Sequence, residues 1–134
     1  MQPATSTRLT GRFLVLGGMN MFLAVALGAF GAHALKTRLP PEALAVYQTG
    51  NLYHFWHALG LLAIALAAAA GASPRLLAWS GGAIQAGIAL FSGSLYLLAL
   101  TGLSGFGAIT PVGGTAFLAG WALLCAAARK TGRP

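Results

Sequence analysis

The sequence predicts an all-α membrane protein: a four-helix transmembrane bundle with a short interfacial helix before the second membrane-spanning helix. The first reason is composition, because 57% of the 134 residues are hydrophobic and only 7% are charged, whereas about 25% of the residues in a soluble domain are charged. The second reason is that the charges leave uncharged stretches long enough to cross a bilayer. The length suits one domain, and that domain needs an apolar solvent.

Three uncharged stretches give the number of spans. They cover residues 13–35, 43–74 and 76–128, and one span needs about 20 residues. The first stretch is one span, the second is one span with a lead-in, and the third is long enough for two. We therefore predict a single membrane domain, 1–134, with spans at about 13–35, 50–72, 76–100 and 112–128.

The third stretch is divided by a segment rich in glycine. Residues 101–114 contain five glycines and one proline, a composition typical of a loop. We therefore expect the third helix at about Leu76–Leu100 and the fourth at about Gly114–Ala128. The fourth helix is the shortest, so its first turn could begin nearer Pro111, because proline is favoured there.

The lead-in of the second stretch begins with a helix-start signal, Pro40, Pro41 and Glu42. A continuous helix from Pro41 to Ala72 would be about 48 Å long, longer than the hydrocarbon core of about 30 Å. We therefore expect residues 41–49 to lie along the interface as a short helix. The second span would then start after a bend at Gly50 and Asn51.

The positions of the basic residues predict the orientation. Four spans place both termini and the connection between the second and third spans on one side of the membrane. That side carries six basic residues and the other side carries two, so we expect both termini to be cytoplasmic. The net charge of +7 is thereby explained by topology, and nucleic acid is not an expected partner. The six are Arg8, Arg12, Arg75, Arg129, Lys130 and Arg133, and the two are Lys36 and Arg38.

Few side chains could carry acid–base or nucleophilic chemistry. The chain has no aspartate, one glutamate, Glu42, and one cysteine, Cys125. No pair of carboxylates and no catalytic triad can be assembled from these residues. We expect Cys125 to be a small buried hydrophobic residue, and we predict no catalytic residue.

Polar residues inside the spans need partners, because the bilayer core offers none. Gln85, Ala89, Ser92 and Tyr96 share one face of the third helix, which should point into the bundle. Asn20 lies at a depth similar to that of Gln85, and we predict a buried polar pair joined by an amide–amide hydrogen bond. The alternative is that each amide bonds to a carbonyl of its own helix.

Three histidines are the candidates for binding chemistry, and the topology predicts that all three lie near the outer surface. His54 and His57 share a face of the second helix with Tyr47, Gly50 and Leu61. Three histidines could bind zinc or copper, two could ligate a haem, and a histidine–tyrosine chain could pass protons or hold a quinone head group. A purely structural role is the alternative. The candidate ligand-binding residues are His33, His54, His57, Ser92 and Tyr96, and the three histidines are the candidate metal ligands.

Four segments in order along the chain resemble the bacterial domain of unknown function 423 family, whose eukaryotic relative is transmembrane protein 256. The resemblance covers about residues 10–130 and implies a four-helix, multi-pass protein of the bacterial inner membrane. The resemblance does not assign an activity, a cofactor or a catalytic residue to the chain. The segments are GAFGAHALK at 28–36, YHFWHAL at 53–59, LFSGSLYLL at 90–98 and ITPVGG at 109–114.

Three functional hypotheses follow from these residues. The leading one is a non-enzymatic membrane protein that binds a lipid, a small apolar ligand or a larger membrane complex. The second is a histidine-based haem- or metal-binding protein, or a redox accessory protein. The third is a small channel or carrier, which would need a homo-oligomer to complete a polar path. The expected partners are membrane lipids, other membrane proteins or further copies of the chain.

Overall fold

The computed structural model describes residues 3–129, and this part of the chain folds into four long helices without any strand. All four are long and apolar enough to cross a membrane. The predicted all-α four-helix bundle is therefore confirmed. The helices are α1 (Pro3–Phe30), which continues into a π-helical turn (Gly31–Leu35), α2 (Pro41–Ala69), α3 (Pro74–Thr101), in which Ile88–Ser92 is π-helical, and α4 (Gly105–Ala128).

Helices α1 and α2 are antiparallel neighbours. Near the start of α1, the Ser6 hydroxyl donates a hydrogen bond to the carbonyl oxygen of Ala68, near the end of α2. At the opposite end, the Tyr47 hydroxyl donates to the carbonyl oxygen of Leu27 at 2.6 Å. The two helices are thus joined by hydrogen bonds at both of their ends.

Helices α3 and α4 form the second antiparallel pair. The Ser80 hydroxyl of α3 donates to the carbonyl oxygen of Gly120 at 2.7 Å, and the hydroxyls of Ser94 and Thr110 lie 2.7 Å apart. One end of the bundle therefore holds the start of α1, the connection between α2 and α3, and the end of α4. We call this the terminal end, and we call the opposite end, with the connections 36–40 and 102–104, the loop end.

Helix α2 lies at the centre of the bundle and contacts the other three helices. In its most apolar part 44% of the residues are buried, against 17% in α4. Helix α1 packs mainly on α2 and helix α4 mainly on α3, and both turn most of their surface to lipid. Side chains from all four helices form the core, among them Phe13, Leu61, Ile64, Leu77, Ile84 and Phe117.

The segment predicted to be a loop before the fourth helix is mostly helical, so that prediction is wrong. Helix α4 begins at Gly105 and contains Pro111. A Cβ atom on Gly113 would lie 2.3 Å from the backbone nitrogen of Phe91, so this glycine lets α4 pack directly on the backbone of α3. Small residues do this in membrane helices. Only Gly102, with a φ of 70°, takes the left-handed conformation here, and it ends α3.

The predicted interfacial helix is not a separate element, because α2 runs without interruption from Pro41. One face of its first turns packs on the bundle. Tyr47 is 1% exposed and bonds to α1. A Cβ atom on Gly50 would lie 3.0 Å from Leu95 Cβ, so α2 passes close to α3 at the expected bend. These contacts keep residues 41–49 in line with the rest of α2.

This continuity changes the depth of two histidines. His54 is the fourteenth and His57 the seventeenth of the 29 residues of α2. Both therefore lie near the middle of the bundle, and their predicted position near the outer surface is wrong. The error came from starting the second helix at Gly50. Cys125, expected to be buried, is exposed on α4.

Candidate functional site

Five side chains from three helices form one chain of hydrogen bonds through the middle of the bundle. Asn51 Nδ2 donates to the Tyr96 hydroxyl at 3.2 Å, and this hydroxyl lies 3.1 Å from His54 Nδ1. His54 Nε2 lies 3.2 Å from Asn20 Oδ1, and Asn20 Nδ2 donates to Gln85 Oε1 at 2.8 Å. We call Asn51, Tyr96, His54, Asn20 and Gln85 the polar chain.

The direction of each hydrogen bond follows from what each atom can donate. Asn20 Oδ1 only accepts, so His54 Nε2 carries the proton and donates to it. His54 Nδ1 then accepts from the Tyr96 hydroxyl, which in turn accepts from Asn51. The second N–H of each asparagine side chain donates to a backbone carbonyl oxygen of α1. Asn20 donates to Leu16 and Asn51 donates to Ala24. In the neutral ring both nitrogens of His54 are therefore in use.

The centre of the polar chain is buried, whereas Asn51, Gln85 and Tyr96 are half-buried. Asn20 and His54 are 7% and 4% exposed, and hydrogen bonds between side chains at such buried positions stabilise a unique packing. A metal ion could reach a His54 nitrogen only by replacing one of these hydrogen bonds. The arrangement therefore fixes α1, α2 and α3 relative to each other.

The second histidine of α2 lies in a different environment, among aromatic rings of α2, α3 and α4. The His57 ring stacks face to face on Phe117, with centroids 3.4 Å apart and planes at 11°. Trp121 lies 5.9 Å away on the same helix as Phe117. Tyr53 lies 5.9 Å from His57 and 4.4 Å from Phe91. We call Tyr53, His57, Phe91, Phe117 and Trp121 the aromatic cluster.

One nitrogen of His57 remains open. Its Nδ1 lies 2.6 Å from the carbonyl oxygen of Tyr53 and donates to it, so that in the neutral ring Nε2 is an acceptor. No side chain or backbone group of residues 3–129 donates to Nε2. In the same part of the chain, Ser92 Oγ is the one buried side-chain oxygen or nitrogen without a partner. Nε2 is therefore not fully buried, and the 6% of His57 that is exposed includes it.

The structure separates the other predicted site residues. His33 is exposed in the π-helical turn after α1. His54 turns toward α1 and α3, whereas His57 turns toward α4. Residues 3–129 contain no group of three His, Cys, Asp or Glu side chains that could hold a metal ion. The histidines thus do not converge.

The predicted polar face of the third helix is only partly formed. Gln85 and Tyr96 belong to the polar chain, and Ser92 is fully buried. Ala89, however, is exposed, because the π-helical turn Ile88–Ser92 shifts the register of α3. An i, i+4, i+7 pattern assumes an uninterrupted α-helix.

Sequence reasoning missed Asn51, Phe117 and Trp121. Asn51 lies three residues before His54, a spacing that places both on one side of a continuous helix, but it was assigned to a bend. The other two looked like ordinary apolar residues. Their role depends on the contact between α2 and α4, for which the sequence contains no signal.

Comparisons with known proteins agree with this architecture. The family model described as "Protein of unknown function (DUF423)" matches residues 27–114. The UPF0382 membrane protein YwdK of Bacillus subtilis is 48% identical over 118 residues, which are 88% of this chain and 96% of that protein. The UPF0382 inner membrane protein YgdD of Escherichia coli K12 is 42% identical over 126 residues, 93% of this chain and 95% of that protein. No solved structure matches the chain at a significant level.

Proposed function

The chain belongs to the DUF423 family of membrane proteins of unknown function, and from this premise we propose that it is a non-enzymatic protein of the bacterial inner membrane that binds a component of the bilayer. The binding surface is the side of the bundle where α2 and α4 meet, at the aromatic cluster. The open nitrogen of His57 carries this proposal, because it is a polar atom without a partner deep in an apolar setting.

The hydrogen bonds of the polar chain support a binding role over a catalytic one. Catalysis by general acids and bases needs a group that can exchange a proton with a substrate. Both ring nitrogens of His54 are engaged inside the bundle, and Glu42 is the chain's one carboxylate side chain, at the start of α2.

The rings beside His57 support the same surface. Tyr53 and Trp121 are 39% and 37% exposed, so they form its lipid-facing border. A Cβ atom on Gly60 would lie 3.1 Å from the Trp121 ring, so the indole packs closely on the backbone of α2. This border is therefore rigid, and a rigid apolar surface binds a ligand at a lower entropic cost.

The orientation is a further part of the proposal. We place the terminal end of the bundle in the cytoplasm and the loop end outside it. Of the six basic residues predicted to be cytoplasmic, the four that the structure describes lie toward the terminal end, and Lys36 and Arg38 lie at the loop end. Positively charged residues favour the cytoplasmic side. Lys130 and Arg133 of that group lie outside the described residues.

The test is extraction of the protein with its surrounding native lipid into polymer-bounded discs. Mass spectrometry then compares the lipids in the discs with those of the whole membrane. We expect one component to be enriched at a fixed molar ratio to the protein. Trp121→Ala should remove the enrichment, and Leu118→Ala should not, because Leu118 is a lipid-facing residue of α4 outside the aromatic cluster. Discs whose lipids match the bulk membrane would contradict the proposal.

A further inference from the structure

We propose that the aromatic cluster binds the head group of a membrane-dissolved hydroquinone, whose hydroxyl donates a hydrogen bond to Nε2 of His57. The inference rests on the proposed binding function and names the chemical class of the ligand. It concerns binding alone and includes no oxidation step.

The first argument is the chemistry of the open atom. Nδ1 of His57 donates to Tyr53 at 2.6 Å, and the ring is held against Phe117 at 3.4 Å. Nε2 therefore points in a fixed direction as a neutral acceptor. Its natural complement is an O–H or N–H donor, and an acceptor such as a quinone carbonyl is not a complement.

The second argument is depth. His57 is the seventeenth of the 29 residues of α2, and Phe117 is the thirteenth of the 24 residues of α4. Both are near the middle of their helices, whereas phospholipid head groups lie about 15 Å from the centre of a core about 30 Å thick. The donor must therefore belong to a molecule that dissolves in the hydrocarbon region itself.

The third argument is shape. The ring of His57 has near-parallel neighbours, since Tyr53 is inclined to it by 14° and Phe117 by 11°. Trp121 is inclined to it by 59° and closes one side. Tyr53 and Trp121 are 39% and 37% exposed, so they offer ring surface to a further flat ring, in stacked or edge-to-face contact. The ligand must therefore carry a hydrogen-bond donor, dissolve in the hydrocarbon region and contain a flat ring. A hydroquinone with an apolar tail meets all three requirements.

The proposal makes a directional claim, namely that the reduced form binds more tightly than the oxidised form. The probe is a benzohydroquinone with a ten-carbon tail, kept reduced under nitrogen and titrated into purified full-length protein in lipid nanodiscs. Nitrogen NMR of labelled histidine reports the Nε2 resonance, which moves upfield when this atom accepts a hydrogen bond. We expect saturation with a dissociation constant about tenfold lower for the hydroquinone than for the quinone, the ratio that corresponds to one hydrogen bond.

A matched ligand and a matched pair of variants sharpen the test. The dimethyl ether of the same hydroquinone keeps the ring and the tail but has no donor, and it should bind no more tightly than the quinone. His57→Phe keeps a ring against Phe117 and should lose the preference for the reduced form, as followed by Trp fluorescence. His33→Phe changes an exposed histidine outside the aromatic cluster, and this variant should retain the preference for the reduced form.

Three outcomes would overturn the inference. One is equal binding of the hydroquinone and its dimethyl ether to the wild type, a result that does not depend on how the variants fold. Another is an Nε2 resonance that is already shifted upfield without ligand and does not move when the probe is added. A second copy of the chain or a water molecule would then be donating a hydrogen bond to this atom. The last is enrichment of a different lipid in native discs without hydroquinone binding. That last result leaves the proposed binding function intact, whereas discs without any enrichment contradict the proposed function itself.

Discussion

The Nε2 atom of His54 lies 3.2 Å from Oδ1 of Asn20, so a histidine of α2 donates to an amide of α1 near the middle of the bundle. This contact joins two smaller sets of hydrogen-bonded side chains. On one side of it the chain of hydrogen bonds continues to Gln85, and on the other to Tyr96 and Asn51. The polar residues of three helices therefore form one structure, and its parts should depend on each other.

The first prediction concerns the hydroxyl at the centre of the polar chain. Tyr96→Phe should lower the free energy of unfolding by about 1–3 kcal/mol, because His54 Nδ1 loses its donor and Asn51 loses one of its acceptors. Reversible unfolding in mixed detergent micelles measures the change. Tyr53→Phe is the control, since the Tyr53 hydroxyl has no hydrogen bond within residues 3–129. It should stay within about 0.5 kcal/mol of the wild type, and equal losses in the two variants would contradict the prediction.

The second prediction compares two serines of α3 that are both 0% exposed. The Ser80 hydroxyl donates to Gly120 at 2.7 Å, whereas Ser92 Oγ has no partner in the described part of the chain. Ser80→Ala should lower the free energy of unfolding by about 0.5–1.5 kcal/mol. Ser92→Ala should leave it unchanged or raise it by about 1 kcal/mol, because it removes a buried polar group without a partner. The same micelle assay compares them, and a loss at Ser92 as large as that at Ser80 would show that the Ser92 hydroxyl is bound.

The third prediction concerns two neighbouring glycines of α4. A Cβ atom on Gly113 would lie 2.3 Å from the backbone of Phe91, whereas the nearest atom to a Cβ on Gly114 would be 3.7 Å away. Gly113→Ala should therefore force the helices apart and lower the free energy of unfolding by about 1–3 kcal/mol. Gly114→Ala should have no effect or raise it by up to about 1 kcal/mol, because alanine favours a helix. If the segment were a loop, the two changes would be tolerated alike.

These glycines also show why the sequence predicted some elements better than others. The four helices were predictable because length and hydrophobicity are properties of the residues themselves. The start of α4 was not, since Gly113 reads as a loop residue until the backbone of Phe91 lies against it. In membranes glycine and proline are tolerated inside helices, so a rule drawn from soluble proteins misplaced this boundary.

The candidate site was predictable to a similar extent. His54 and His57 were singled out as candidate ligand-binding residues near the outer surface, whereas the structure places them near the middle of the bundle. Their different surroundings could not be predicted. The two residues are only three positions apart on α2, yet the His54 ring lies toward α1 and the His57 ring lies toward α4. The π-helical turn at Ile88–Ser92 was equally invisible, since it depends on hydrogen bonding of the backbone and not on a residue pattern.

The last prediction concerns the proposed orientation, in which the loop end faces away from the cytoplasm. In a chain carrying Cys125→Ala, a cysteine introduced at Thr37 should react with a membrane-impermeant maleimide in intact spheroplasts, and one introduced at Ala70 should react only after lysis. Both positions are exposed, and they lie in the connections at opposite ends of the bundle. The physical reason is that positively charged residues resist transfer across the membrane, and Arg8, Arg12 and Arg75 are at the end that carries Ala70. Labelling at Ala70 in intact spheroplasts, with protection at Thr37, would reverse the proposed orientation.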